Sequence, residues 1–169
     1  MASLEGRVFY IGGKSESTNQ GIISSLEDVD GQLRWLKVGQ LVNTERHQHC
    51  LAMVKDYILI IGGVGYGGKD EKYHGTMGPS AVTMFTPSSG EIKQTTPSLK
   101  KPRRRHGCTS YENGDGDTVV VVAGGYVGVS LGSPDHVSAS VETMKISGTV
   151  VGQWEEPVSY THLTLPTKA

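Results

Sequence analysis

The sequence predicts an all-β protein built from repeated four-stranded antiparallel units. A diglycine ends a short apolar run three times, at residues 8–13, 57–63 and 119–125. The pairs begin 50 and 62 residues apart, and a period of roughly 50 residues is typical of repeats that each form one four-stranded sheet. The 23 glycines of the chain indicate many tight turns between strands.

The composition is that of a soluble globular protein. The formal net charge is −1 and 20% of the residues are charged, so the balance of charge indicates no particular partner. No apolar run reaches the roughly 18 residues of a membrane span, and residues 1–6 lack the pattern of a signal peptide. A cytoplasmic location is therefore predicted. With no export signal, Cys50 and Cys108 are expected to stay reduced.

The second unit shows the order of strands. Its second strand, residues 57–61, is nearly all apolar, so both of its faces are expected to be buried. A Gly-rich loop follows at residues 64–80, and turns at residues 55–56 and 87–90 close the two hairpins. The four strands are predicted at residues 49–54, 57–61, 81–86 and 91–96.

The other two units follow the same order. In the third, the strands are predicted at residues 106–112, 118–123, 140–146 and from residue 149 onward. In the first, they are predicted at residues 7–11, 22–29 and 33–38. The first strand of that first unit is expected to be missing.

Four features make residues 6–157 resemble the kelch repeat family. They are the strand-ending diglycines, a small residue before an acidic one in the third strand (Ser140 to Glu142), a tryptophan opening the fourth strand, and an arginine before the next unit. The tryptophans are Trp35 and Trp154, and the arginines are Arg46 and Arg104. The resemblance implies one propeller blade per unit, so the chain would be a partial β-propeller, an open arc of about three blades at residues 6–39, 46–97 and 104–157.

The resemblance also implies structural roles. Trp35 and Trp154 would pack between blades, Glu142 would accept hydrogen bonds from buried donors, and the unit arginines commonly bond backbone and acidic groups between neighbouring blades. The middle unit has Ile92 or Lys93 in place of the tryptophan, and no acidic residue at residues 83–85, so it is expected to pack less well. The repeat glycines are Gly12, Gly13, Gly62, Gly63, Gly124 and Gly125.

A meander of four strands places the loop after the second strand and the link to the next unit at the same end of the sheet. We name this end the loop face; its loops are residues 14–21, 64–80 and 126–138, and its links are residues 40–46 and 98–105. Long loops on a rigid scaffold concentrate binding residues. The resemblance implies that the partner-binding residues are Arg46, Arg104, Arg105, Tyr66, Tyr73, His74 and Tyr126, with Arg105 the arginine best suited to binding.

Three other patterns have simpler interpretations. The basic run at residues 100–105 resembles a nucleic-acid patch, but it lies in a link without interleaved aromatic residues, so a solvated loop is favoured. His49 with Cys50, and His106 with Cys108, lack the spacing of a zinc site, and equivalence between repeats explains the matched cysteines. The Gly-rich residues 62–70 lack the spacing of a phosphate-binding loop. No metal and no cofactor are expected.

The leading functional hypothesis is a non-catalytic module that binds a protein or peptide partner. In related proteins such propellers often select substrates for a cullin-type ubiquitin ligase, which would here require a domain outside this chain. No nucleic-acid or membrane partner is expected. The alternative is a fragment of a kelch-propeller enzyme of the oxidase or epimerase type, although the sequence shows no converging Tyr, Cys and His ligands for copper.

Residues 158–167 resemble the translation of a sequencing adapter, so residues 158–169 are expected to be non-native and the fold to occupy residues 1–157. An arc of three blades leaves its two outermost blade faces uncovered. We therefore expect a marginally stable chain that associates through exposed apolar surface.

Overall fold

The computed structural model describes residues 1–4, 6–13, 21–41, 46–65, 81–95, 97–127 and 136–156. These ranges contain strands and no helix, so no helix within them is long and apolar enough to cross a membrane. The strands are β1 (Ala2–Leu4), β2 (Arg7–Ile11), β3 (Ile22–Val29), β4 (Gln32–Gln40), β5 (Arg46–His47), β6 (Cys50–Val54), β7 (Tyr57–Ile61), β8 (Val64–Gly65), β9 (Val82–Thr86), β10 (Glu91–Thr95), β11 (Arg103–Arg104), β12 (Gly107–Glu112), β13 (Thr118–Ala123), β14 (Tyr126–Val127), β15 (His136–Val137), β16 (Val141–Ser147) and β17 (Val150–Glu155).

Three four-stranded antiparallel sheets account for most of these strands. Sheet I has the order β1-β2-β3-β4, sheet II β6-β7-β9-β10 and sheet III β12-β13-β16-β17. Each sheet is a meander of consecutive strands, which confirms the all-β prediction and the four-stranded units. Two small sheets, β5-β8 and β11-β14-β15, join the links to the segments that follow the diglycines. Links and loops therefore share one end of the sheets, as predicted for the loop face.

The prediction that the first unit lacks its first strand was wrong. β1 pairs with β2, with Ala2 opposite Phe9 and Leu4 opposite Arg7. The chain reverses at Gly6, whose φ of 76° is one that glycine adopts without strain. β1 lies one 50-residue period before β6, so the period itself could have located this short strand.

The second glycine of the second and third pairs is required by close contact as well as by backbone conformation. Gly63 has a φ of 91°, and a Cβ there would lie 2.7 Å from the His47 carbonyl oxygen. Gly125 has a φ of 84°, and its Cβ would lie 2.5 Å from the carbonyl oxygen of Arg104. The diglycine therefore marks the point where the link into a sheet crosses the end of that sheet's second strand.

The same glycine also connects each sheet to the next one. The Gly13 N–H donates to the Arg46 carbonyl at 3.0 Å, and the Gly63 N–H donates to the Arg103 carbonyl at 3.0 Å. One backbone hydrogen bond of the same kind thus joins sheet I to sheet II and sheet II to sheet III.

The apolar core forms two layers, one on each side of sheet II. Between sheets I and II, residues such as Phe9 and Ile23 pack with Ile58 and Phe85, and the two phenylalanine rings meet edge to face at 6.0 Å. Between sheets II and III, the layer consists of Ala52, Val54, Leu59, Ile61, Val82, Leu99, Val120, Val122, Met144, Ile146 and Trp154. Both faces of β7 are buried, as the sequence predicted.

The middle sheet is not loosely packed, contrary to the expectation from its missing tryptophan. Ile92 lies opposite Phe85, as Trp154 lies opposite Met144 and Trp35 opposite Leu26. Ile92 packs against the layer between sheets I and II. A smaller aliphatic side chain therefore fills the tryptophan position of sheet II.

The two tryptophans have different surroundings. Trp154 is 1% exposed, and its indole N–H donates to the Pro97 carbonyl at 3.1 Å; its predicted packing between sheets is confirmed. Trp35 is 48% exposed and contacts the Tyr10 ring edge to face at 6.3 Å. No described sheet lies against this side of sheet I, so the packing of Trp35 between sheets stays a prediction.

Cys50 and Cys108 form a disulfide, with their Cα atoms 5.9 Å apart. The expectations that they are reduced and equivalent in the repeat were both wrong. Cys50 lies opposite Ile61, on the side of sheet II that faces sheet III, whereas Cys108 lies opposite Val122, on the side that faces sheet II. Cys108 lies one residue after the position that corresponds to Cys50, so its side chain points to the opposite side of its own sheet, toward Cys50.

Reducing this disulfide is expected to destabilise the chain by about 2–4 kcal/mol, because the bond closes a long loop in the unfolded state. Urea unfolding with and without a phosphine reductant measures the difference. A Cys50→Ser/Cys108→Ser double variant serves as the control, since reductant should leave its midpoint unchanged. Equal midpoints for oxidised and reduced wild-type protein would contradict the prediction.

Candidate functional site

Arg46 is buried and holds the strand ends of sheet II. It is 2% exposed, and it donates to the Gly62 and Ala81 carbonyls at 3.3 and 3.2 Å and to the Thr83 hydroxyl at 2.8 Å. Burial lowers the pKa of Arg46 to about 10, so the group stays charged at neutral pH. This geometry fits the structural role that the resemblance implies, and the partner-binding role of Arg46 stays a prediction.

Arg103, and not Arg104, is the counterpart of Arg46 in sheet III. Arg103 is fully buried, and it donates to the Gly124 and Ser140 carbonyls, both at 3.0 Å. Because residues 103–105 are all arginines, the sequence alone left open which of them corresponds to Arg46. The spacing to the histidine could have resolved it, because Arg103 precedes His106 by three residues, as Arg46 precedes His49.

Glu142 neutralises Arg103 inside sheet III. Its carboxylate accepts from Arg103 Nη2 at 2.7 Å and from the backbone N–H groups of Lys100 and Lys101 at 2.7 and 3.2 Å. Its side chain is fully buried. The predicted role of Glu142 as an acceptor for buried donors is confirmed.

These contacts divide the basic run of residues 100–105. Arg103 lies inside the sheet, and the Lys101 ammonium donates to Glu156 at 3.1 Å. Arg104 is half-buried and Arg105 exposed. The run is therefore not one continuous cationic patch, and Arg105 is the arginine of this link most accessible from the loop face.

Arg105 is held in a defined position on the loop face. Its φ is 52°, and that of Gln48 is 59°; the left-handed region is uncommon for residues other than glycine. The Arg105 N–H donates to the Gln48 carbonyl at 2.9 Å. The Gln48 amide, oriented with its oxygen toward the guanidinium, accepts from Arg105 Nε and Nη2 at 3.3 Å.

An aromatic ring completes this cluster. The Arg105 guanidinium carbon lies 5.8 Å from the centroid of the Tyr126 ring, within the range of a cation–π contact. The backbone of Tyr126 pairs with that of Arg104, so the loop after the third diglycine and the link before sheet III meet here. The structure thus brings together two predicted site residues, Arg105 and Tyr126, and adds Gln48, which the sequence analysis missed.

The remaining predicted contact residues, Tyr66, Tyr73 and His74, lie outside the described residues. Residues 158–169 also lie outside them. Among the described residues, no group of three or more His, Cys, Asp or Glu side chains is placed to hold a metal ion.

Two histidines, the buried His106 and the half-buried His49, lie near the structural arginines. The His106 ring nitrogen Nε2 lies 3.1 Å from the Ile61 carbonyl, which it meets as an N–H donor. Burial, with the charge of Arg103, lowers the pKa of His106 to about 4; burial, with the charge of Arg46, lowers the pKa of His49 to about 4. Both Nδ1 atoms are buried with no hydrogen-bond partner among the described residues, so both rings are neutral at pH 7.

Glu142→Gln is expected to destabilise the chain by about 3–5 kcal/mol, because it leaves the Arg103 charge buried and uncompensated. Glu156→Gln is the matched control: it removes the exposed ion pair with Lys101 and should cost about 0–1 kcal/mol. Urea unfolding of both variants measures the two values. Equal losses in the two variants would contradict the burial argument.

Acidification is expected to weaken the fold through the two histidines. Their pKa values in the folded state lie below the ordinary 6.5, so the stability they contribute is present above about pH 6.5 and is lost as the pH falls toward 4. We expect a loss of about 4–5 kcal/mol between pH 7 and pH 4.5 from the two groups together. A His49→Gln/His106→Gln variant should have a flatter profile; a profile as steep as that of the wild type would contradict the assignment.

The loop face therefore holds an exposed arginine fixed by Gln48 and Tyr126, beside two arginines that belong to the structure of the sheets. This arrangement can bind an anionic group through the guanidinium, whose planar fork matches a carboxylate. In comparisons with known proteins, no protein-family model matched the chain, and no curated protein matched it either.

Proposed function

We propose that the chain is three blades of a kelch-type β-propeller and that it binds a protein or peptide partner without catalysis. The repetition supports the architecture: three meanders of four strands, diglycines at the same strand end, and the same Gly-to-Arg backbone bond between successive sheets. In a propeller each such sheet is one blade. The whole protein would then serve as an adaptor, for example the substrate-recognition part of a ubiquitin ligase, together with a domain outside this chain.

The observation that carries the binding function is the fixed and exposed Arg105. Its left-handed backbone costs free energy, and strained residues cluster at functional sites. Gln48 engages part of the guanidinium, and the remaining N–H donors can pair with a carboxylate. Because Tyr126 and Gln48 already hold the side chain, less conformational entropy is lost when a partner binds. The partner favoured by this chemistry is an acidic peptide segment.

Replacing Arg105 with Glu is expected to weaken binding of an acidic peptide by about 10- to 100-fold, the range for losing hydrogen bonds between charged groups. The probe is the tightest peptide selected from a displayed library by the full chain, and its Kd is measured by fluorescence anisotropy. Arg105→Lys should bind at an intermediate level, because lysine keeps the charge and loses the fork.

Arg34→Glu is the matched control, since it reverses an exposed arginine on β4 that donates to Gln32. It should leave peptide affinity unchanged. Selected peptides without acidic enrichment, or peptides that bind Arg105→Glu as tightly as the wild type, would overturn the proposal.

A further inference from the structure

The side of sheet I that faces away from sheet II carries partly exposed apolar side chains. We name it the leading face; its apolar residues are Val8, Tyr10, Leu26, Leu33 and Trp35, and Ser24, Asp28 and Lys37 lie on the same side. Tyr10 is 44% exposed, Trp35 48% and Leu33 72%. The strand registers place these residues on one side of the sheet, because Val8 lies opposite Leu26 and Leu26 opposite Trp35.

The same positions are buried in the other two sheets. Counted from the diglycines, Val8 and Tyr10 correspond to Ile58 and Ile60 in sheet II, which are fully buried against sheet I. In sheet III they correspond to Val120 and Val122, and the tryptophan position is Trp154, all buried against sheet II. The side of the sheet equivalent to the leading face thus packs against a neighbouring sheet in both sheet II and sheet III, whereas no described residue covers it in sheet I.

Sheet III has the complementary surface. We name it the trailing face; its residues are Tyr111, Val119, Val121, Thr143 and Glu155. Tyr111 is 53% exposed and lies opposite Val119. At the position of Val121, Phe9 in sheet I and Leu59 in sheet II are buried, and Val54, which holds the position of Tyr111 in sheet II, is buried as well.

An open groove of about 320 Å³ lies on the trailing face. Its lining residues are Val119, Thr143, Lys145, Gly152, Gln153 and Glu155. In sheet II, the positions of Val119 and Thr143 are held by Tyr57 and Met84, which pack against the apolar layer that contains Trp154. The groove is therefore the place where the tryptophan of a following sheet would lie.

We propose that the leading face of one copy of this chain docks on the trailing face of a second copy, with Trp35 in the groove. The contact continues the stacking that already joins sheets I, II and III, so it reuses an interface geometry present twice in the chain. Such a head-to-tail contact closes into a ring when the rotation per unit allows it. Two copies would supply six sheets, within the range of about four to eight found in closed rings of such sheets.

Sedimentation velocity of the full chain tests this contact. The wild type is expected to sediment at twice the chain mass of 18.1 kDa. Trp35→Glu and Tyr111→Glu each place a charge in the proposed contact, so each variant alone should be a monomer. An equimolar mixture should associate in pairs, because one variant keeps an intact trailing face and the other an intact leading face.

Val137→Glu is the matched control, since Val137 is 79% exposed but lies on β15, outside both faces; this variant should still form dimers. Circular dichroism confirms that each variant is folded, and Trp35→Ser and Tyr111→Ser replace any variant that is not.

A wild type that stays monomeric at about 100 µM overturns the proposal, and this is the result expected if the natural partner of the leading face is a sheet of another protein. So does a mixture that fails to associate, or a Trp35→Glu variant that dimerises as the wild type does. Arg105→Glu should dimerise normally, so this test is independent of the loop-face partner.

Discussion

The backbone hydrogen bond from the second glycine of each pair to the arginine that opens the next sheet determines the rest of the arrangement. Gly13 bonds to Arg46 and Gly63 to Arg103, and both arginines then hold the strand ends of their own sheets through their guanidinium groups. Because the joint is the same each time, equivalent positions of successive sheets face each other, and one apolar layer follows another. The joint also positions the exposed site, since Arg105 follows Arg103 by two residues and its own N–H bonds to Gln48 of the preceding link. The packing of the sheets and the geometry of the loop face thus have a common origin.

The sequence predicted much of this fold because a period and a diglycine are local signals. The buried strand β7 and the meander order followed from them, and the acceptor role of Glu142 followed from the resemblance to the kelch repeat family. Two errors arose because a shift of one residue along a strand moves a side chain to the opposite face of the sheet. Arg103 and Arg104 differ by one position, and only Arg103 points into its sheet; Cys108 is one position away from the counterpart of Cys50. The packing of Trp35 between sheets stays a prediction, because no surface that could cover it lies among the described residues.

The site could be predicted only in part. Arg105 and Tyr126 were expected from the resemblance to the kelch repeat family, and the structure brings them together. Gln48 was missed because a left-handed backbone at a residue other than glycine or asparagine has no reliable signature in the sequence. A repeat comparison contains a signal nonetheless, since Gln48 and Arg105 both lie two residues after a buried arginine. The same left-handed position in two successive repeats is therefore held by Gln48 and by Arg105, and these two residues contact each other in one cluster.

The unequal surroundings of the two tryptophans give the chain an intrinsic optical reporter. Its only indoles are Trp35 and Trp154; the first is half in water and the second lies in the apolar layer between sheets II and III. An indole in water emits at longer wavelength than one in an apolar environment, and it is open to collisional quenchers. The red part of the emission thus reports on the outer side of sheet I, and the blue part reports on the contact between the other two sheets. Each surface can be followed separately in the unlabelled protein.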